Sequence, residues 1–144
     1  MSIYGLDEHG WMLKKSIRTE KYVEALRRVV KPGDAVLDIG TGVGTWAVAA
    51  CQFGARRVYA VDPSDVLEVG RELAADNGCA DRIEFIRGVS TELTLPEPVD
   101  VIVQELQSVL PMSGPSLSSV IDARTRLLAP GGTLVPRRET LWAA

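Results

Sequence analysis

The chain has 144 residues, 46% hydrophobic and 24% charged, with a formal net charge of −3. That balance suits one folded domain with a real core and excludes a disordered tail. The weakly acidic total gives no electrostatic reason to expect a nucleic-acid partner, and no apolar run approaches the ~20 residues of a membrane helix.

In chain order, "MSIYGLDEHG" lacks the apolar stretch of a signal peptide. Lys14, Lys15, Arg18 and Lys21 are interleaved with acids and read as a solvated helix face. From Thr19 to Val30, Tyr22, Val23, Leu26, Val29 and Val30 recur at helical spacing until "KPGD" stops them. "AVLDIG" (Ala35–Gly40) is a buried strand, and "TWAVAACQF" a helix closed by Gly54. "RVYAVD" (Arg57–Asp62) is a second strand. "SDVLEVGRELAADNG" is a helix with Ser64 as N-cap and Gly78 as stop. "RIEFIRG" and "VDVIVQE" are strands three and four. "SLSSVIDARTRLLAPGG" is a helix running into a Pro-Gly-Gly turn, and "TLVP" begins a fifth strand.

Strands alternating with helices predict an α/β, Rossmann-like, doubly wound, mainly parallel sheet of about five strands with helices on both faces. The ligand crevice is then expected at the carboxyl ends of the strands. The chain ends soon after strand five, at "RRETLWAA", and reads as cut short there, leaving room for a partner or swapped segment. Cys51 and Cys79 show no CxxC spacing and His9 is the sole histidine, so no zinc site can be assembled. Two free, buried thiols fit a reducing cytoplasm.

"VLDIGTGVGT" (Val36–Thr45) carries the strongest functional signal. Strand, glycine loop, helix, strand and acid is the mononucleotide-binding arrangement. Gly40 permits the turn, Gly42 lets a ligand near the backbone, and Gly44 lets the helix start close to the sheet. The spacing is G-x-G-x-G, whereas the dinucleotide fingerprint wants a small residue at Thr45 and the Walker pattern wants an absent Gly-Lys-Ser/Thr. Asp38 ends strand one, Asp62 ends strand two where a carboxylate can accept ribose hydroxyls, and Glu105 ends strand four. A ring of carboxylates suits a nucleoside bearing a cationic centre better than a pyrophosphate.

These motifs, with "HGWMLKKSIRT", "GARRVYAVD", "DRIEFIRG", "LPEPVDVIVQE" and "ARTRLLAPGGTLVP", resemble class I S-adenosylmethionine-dependent methyltransferases. The likeness is nearest to the catalytic core of the protein arginine methyltransferases and covers nearly the whole chain. It implies a single S-adenosylmethionine-binding domain over residues 1–144, with 1–18 as an N-terminal lid and 19–144 as the Rossmann-like core. It implies that Asp38, Gly40, Gly42 and Gly44 line the methionine part of the cofactor and that Arg18 pairs with its carboxylate. His9 and Met12 would help form the lid, and Asp62 would hold the ribose with Val61, Pro63 and Ser64 beside it. Ser90 and Thr91 would contact adenine; the family prefers a carboxylate at the second position, and here Glu92 comes one residue later. Taken singly, Arg18 reads as a helix-entry charge, His9 as a surface histidine and Met12 as core filler; their joint order carries the family reading.

The family clamps a guanidinium between two loop glutamates, because paired carboxylates match its forked donors. Glu105 is the first. The second falls on or near Gly114, and Leu106, Gln107, Ser108 and Val109 replace the usual loop residues. The expectation is therefore methyl transfer to a nitrogen or oxygen nucleophile of a small molecule or protein, with the acceptor not a protein arginine and Glu105 orienting or deprotonating it. Two alternatives stay open: a cofactor-binding regulatory module without turnover, and an NAD-dependent oxidoreductase using Asp62. A homodimer or partner chain could complete the site; no membrane or nucleic-acid partner is expected.

Overall fold

A computed structural model describes residues 16–106, 116–140 and 142 of the chain. Helix α1 (Ser16–Val29) leads into β1 (Ala35–Ile39), α2 (Thr45–Gln52), β2 (Arg57–Asp62), α3 (Leu67–Asp76) and β3 (Ile83–Arg87). A short 3-10 turn (Ser90–Glu92), β4 (Val99–Gln104), α4 (Ser116–Arg126) and β5 (Leu128–Val135) follow. The five strands form one sheet in the order β3-β2-β1-β4-β5, every pair parallel. Chain order reverses between β1 and β4, the crevice-forming point of such sheets.

Strand β1 is buried at every residue because both faces of the sheet are covered. Val36, Val58, Ala60, Val101 and Val103 pack against α1, α2 and α3 on one face. Leu37, Ile39, Tyr59, Val61 and Ile102 meet Ala123 of α4 and Leu127 just after it on the other. The alternation follows the period of two along a strand. Cys51 and Cys79 are free and buried, and burial pushes the Cys51 thiol up to about 12, so it stays neutral. Among the described residues no helix is long and apolar enough to cross a membrane.

Two local expectations are corrected. Ser64 does not cap α3: that helix begins at Leu67, and the Ser64 hydroxyl donates to Asp62 Oδ1 instead. The carboxylate, two residues back, outcompetes the helix end for the hydroxyl. The Pro-Gly-Gly run does not end ahead of a strand starting at Thr133 but lies inside β5. Pairing moves from Val99↔Leu128 to Val101↔Thr133, so β5 accommodates the run as a bulge in its ladder with β4. Strand β4 ends at Gln104, leaving Glu105 as the first residue beyond it.

Close approach of α2 and α3 to β3 depends on two glycines. A Cβ on Gly44 would lie 3.0 Å from the Phe85 ring and one on Gly70 would lie 2.6 Å from it. Gly70→Ala should therefore destabilise the fold by about 1–2 kcal/mol despite alanine's better helix propensity, as read by urea denaturation. Adding Phe85→Leu should recover most of the Gly70→Ala loss; simple additivity of the two changes would count against the contact.

Candidate functional site

The site begins with a strand-to-helix turn that only glycine can make. Gly40, Gly42 and Gly44 have φ of 69°, 54° and 81°, the left-handed region. The turn hangs over the end of β2, with Gly40 and Thr41 amides donating to the Val61 carbonyl at 2.8 and 3.0 Å. Asp62 binds it from below. Its Oδ2 accepts from the Gly42 amide at 3.0 Å, and its Oδ1 accepts from the Ser64 amide at 2.9 Å and the Ser64 hydroxyl. Ser64 is thus buried with Asp62, whereas Pro63 between them is exposed.

Asp38 lies in the middle of the sheet, fully buried. Its Oδ2 accepts from the Thr41 hydroxyl at 2.6 Å, but its Oδ1 is buried without a hydrogen-bond partner among the described residues. Burial pushes its carboxyl up to about 7, and the charges of Asp62 and Glu105 push the same way, while the Thr41 hydroxyl and the Ala47 backbone amide oppose them. The folded protein thus holds this proton more tightly than the unfolded chain, whose carboxyl keeps the ordinary value of 3.8. The resulting cost to stability is absent below that value, grows as pH rises toward 7, and is constant above.

Arg18 has left the solvated face on which Lys21 remains. Its Nη1 lies 2.8 Å from Glu105 Oε1, and its Nε is buried without an acceptor among the described residues. Trp46 Nε1 donates to Glu105 Oε2 at 3.3 Å. The Trp46 ring stacks on Tyr22 at 4.7 Å and 18°, and the Tyr22 hydroxyl donates to the Gln104 carbonyl at 3.1 Å. Burial raises the Glu105 carboxyl above the usual carboxylate range, opposed by Arg18 and by the Trp46 hydrogen bond. Burial and the Glu105 charge raise the Tyr22 phenol above its ordinary value as well, so it acts as a neutral donor. Leu106, the next residue, covers Gly40; a Cβ there would lie 2.6 Å from Leu106 Cδ2.

The 3-10 turn borders the same crevice after β3. Ser90 is buried, while Thr91 and Glu92 are exposed. Arg126 at the end of α4 holds this turn, donating to the carbonyls of Ser90, Thr91 and Leu93 at 3.0, 3.2 and 2.9 Å while pairing with Asp122. At the other end of α4, the Ser116 hydroxyl donates to the Leu106 carbonyl at 2.6 Å.

The structure therefore gathers Asp38, the three glycines, Asp62, Arg18 and Glu105 around the carboxyl ends of β1, β2 and β4. His9, Met12 and Gly114 lie outside the described residues. Trp46, Tyr22 and Arg126 are additions. Tyr22 and Trp46 read as core positions, and nothing local in the sequence marks an indole for a carboxylate 59 residues away.

A family model described as ribosomal protein L11 methyltransferase (PrmA) matches residues 18–135. A probable protein arginine N-methyltransferase 6 of Arabidopsis thaliana is 38% identical over 138 residues, 94% of this chain and 32% of its own length. Protein arginine N-methyltransferase PRMT10 of Oryza sativa subsp. japonica is 40% identical over 135 residues, covering 92% and 36%. The chain thus spans about a third of the length of these relatives. Among solved structures, protein arginine methyltransferase 10 of Arabidopsis thaliana, in an open conformation, superposes with a TM-score of 0.85 at 34% identity, covering 91% of this chain and 38% of its own. The Trypanosoma brucei PRMT1 enzyme–prozyme heterotetramer with AdoHcy gives 0.80 at 37% identity, covering 88% and 40%. With its glycine loop and carboxylates at the ends of a parallel sheet, the chain belongs to the S-adenosylmethionine-dependent methyltransferases of the PrmA family, and is similar over nearly all its length to the protein arginine N-methyltransferases.

Proposed function

We propose that residues 1–144 form one cofactor-binding methyltransferase domain that delivers a methyl group to a nucleophile held at Glu105. The carrying observation is the pair of buried side-chain atoms that have no hydrogen-bond partner among the described residues, Arg18 Nε and Asp38 Oδ1. Leaving both unpaired costs free energy, and the amino-acid end of S-adenosylmethionine offers the complement, a carboxylate for the guanidinium and an ammonium for the aspartate. Asp62 would hold the ribose through lone pairs left free by Gly42 and Ser64, with Pro63 beside it. Ser90 and Thr91 would border the adenine, and residues 1–18, with His9 and Met12, would close over the site. When bound, the cofactor supplies a methyl group on a positively charged sulfur.

The protein's own contribution is alignment and charge placement. Glu105 stands beside the glycine loop, is largely withdrawn from water, and has its carboxyl raised by that burial. A raised carboxyl is a better proton acceptor, which suits a group that orients an amine or hydroxyl and takes its proton. Gly114 stands where the family's second glutamate falls, yet the matched relatives are protein arginine N-methyltransferases, which supports a protein arginine acceptor in place of the one expected from the loop residues. That glycine favours a second reading, a cofactor-binding regulatory module without turnover. A second copy or a partner chain would complete the acceptor side, and two buried reduced thiols favour the cytoplasm.

Methyl transfer from labelled S-adenosylmethionine should be measured on amine, hydroxyl and arginine-containing peptides. Glu105→Gln should lower the wild-type rate by roughly 100-fold or more while leaving S-adenosylhomocysteine affinity nearly unchanged. Full activity in Glu105→Gln would contradict the assignment, and cofactor binding without transfer to any acceptor would favour the regulatory module.

A second expectation concerns pH. The cofactor ammonium pairs with ionised Asp38, whose environment contains Thr41, Asp62 and Glu105. S-adenosylhomocysteine should therefore bind more tightly as pH rises from about 5.5 to about 8, by up to roughly tenfold per unit below the Asp38 midpoint. Calorimetry on Asp38→Asn should show this dependence flattened; a slope equal to wild type would exclude Asp38 as its source.

A further inference from the structure

Trp46 occupies the first turn of α2, directly after the glycine loop, and is 4% exposed. At a core position only the volume of the ring is needed. Here its one polar atom is spent on Glu105 Oε2 at 3.3 Å, while Arg18 takes Oε1 at 2.8 Å. The two donors differ in one respect. Arg18 also carries the unpaired Nε and is shared with the cofactor's carboxylate, whereas the indole N–H has Glu105 alone. The ring is itself fixed, stacked on Tyr22, whose hydroxyl grips the Gln104 carbonyl one residue before Glu105. One aromatic pair thus holds both the main chain at the end of β4 and the carboxylate that follows it.

We propose that Trp46 is a positioning residue for methyl transfer: its indole N–H, locked by the Tyr22 stack, fixes the orientation of the Glu105 carboxylate toward the acceptor. This rests on the reading of Glu105 as the acceptor carboxylate. The charged and titratable groups around that carboxylate are Arg18 and Tyr22 from α1 and Asp38 from β1, and Glu139 beyond β5 acts on the Tyr22 phenol. None of them can replace a donor on Oε2 without giving up its own place. Tyr22 is engaged with Gln104, and the remaining two are acids.

The test uses the S-adenosylhomocysteine-loaded protein and its indole N–H resonances. The chain has three tryptophans, so the signal missing in Trp46→Phe is that of Trp46. In the wild type this signal should move with pH as Glu105 ionises, and in Glu105→Gln, which leaves the ring in place, it should not. Identical titration in both proteins would overturn the contact. Trp46→Phe keeps an aromatic ring against Tyr22 and removes the N–H together with the second ring of the indole. Its kcat on the acceptor peptide should fall roughly tenfold, with the acidic limb of the rate profile displaced to higher pH and S-adenosylhomocysteine affinity unchanged. A wild-type kcat and limb in Trp46→Phe would overturn the positioning role. Should the wild type methylate none of the peptides, the acceptor reading fails by itself and the indole titration still decides the contact.

Discussion

A carboxylate buried in the central strand of a parallel sheet is the constraint around which the site is arranged. Asp38 sits where both faces are covered, Thr41 donates to its Oδ2, and among the described residues its Oδ1 meets no donor at hydrogen-bond distance and angle. A fold that keeps such a group carries a cost that a purely structural residue would not justify. Arg18 shows the converse, a buried guanidinium nitrogen with no acceptor among the described residues. The two deficits together describe a zwitterion, and the rest of the crevice is consistent with one. The glycine turn brings the backbone close, Asp62 stiffens that turn from below, and Glu105 faces it from the neighbouring strand.

Asp62 carries two tasks at once. Its carboxylate ties Gly42 to Ser64, so the oxygens that set the loop geometry are the ones proposed to hold the ribose. Loss of Asp62 would therefore disturb the glycine turn as well as remove an acceptor. Helix α4 joins the two halves of the crevice similarly. Ser116 anchors its start to the Leu106 carbonyl beside Glu105, and Arg126 anchors its end to the turn bordering the adenine position. A movement of α4 would shift both halves together.

Much of this was legible in the sequence, for identifiable reasons. Strands β1 and β2 are short, mostly apolar segments, AVLDI and RVYAVD, and β2 matches its expected span residue for residue. Asp38, Asp62 and Glu105 were readable because the parallel topology fixes which strand ends share a crevice. What was not legible depends on partners distant in the chain. The Pro-Gly-Gly run carries a turn signal, yet pairing with β4 absorbs it as a bulge. Ser64 has the composition of a helix cap, but Asp62 captures its hydroxyl. Arg18 is matched to a cofactor carboxylate by motif order, whereas the structure pairs its Nη1 with Glu105, a residue 87 positions away that no local pattern marks. The family match also sets aside the NAD-dependent alternative, which rested on Asp62 alone.

Asp38 Oδ1 and Arg18 Nε are proposed to receive the two charged ends of the cofactor's amino acid. A crystal structure with S-adenosylhomocysteine tests this most directly. The account predicts the ligand's ammonium on Asp38 and its carboxylate on Arg18 Nε, each within about 3.2 Å, with the Arg18–Glu105 contact loosened or shared. A bound ligand that leaves both atoms without partners, or that turns its amino-acid end away from β1, would contradict it.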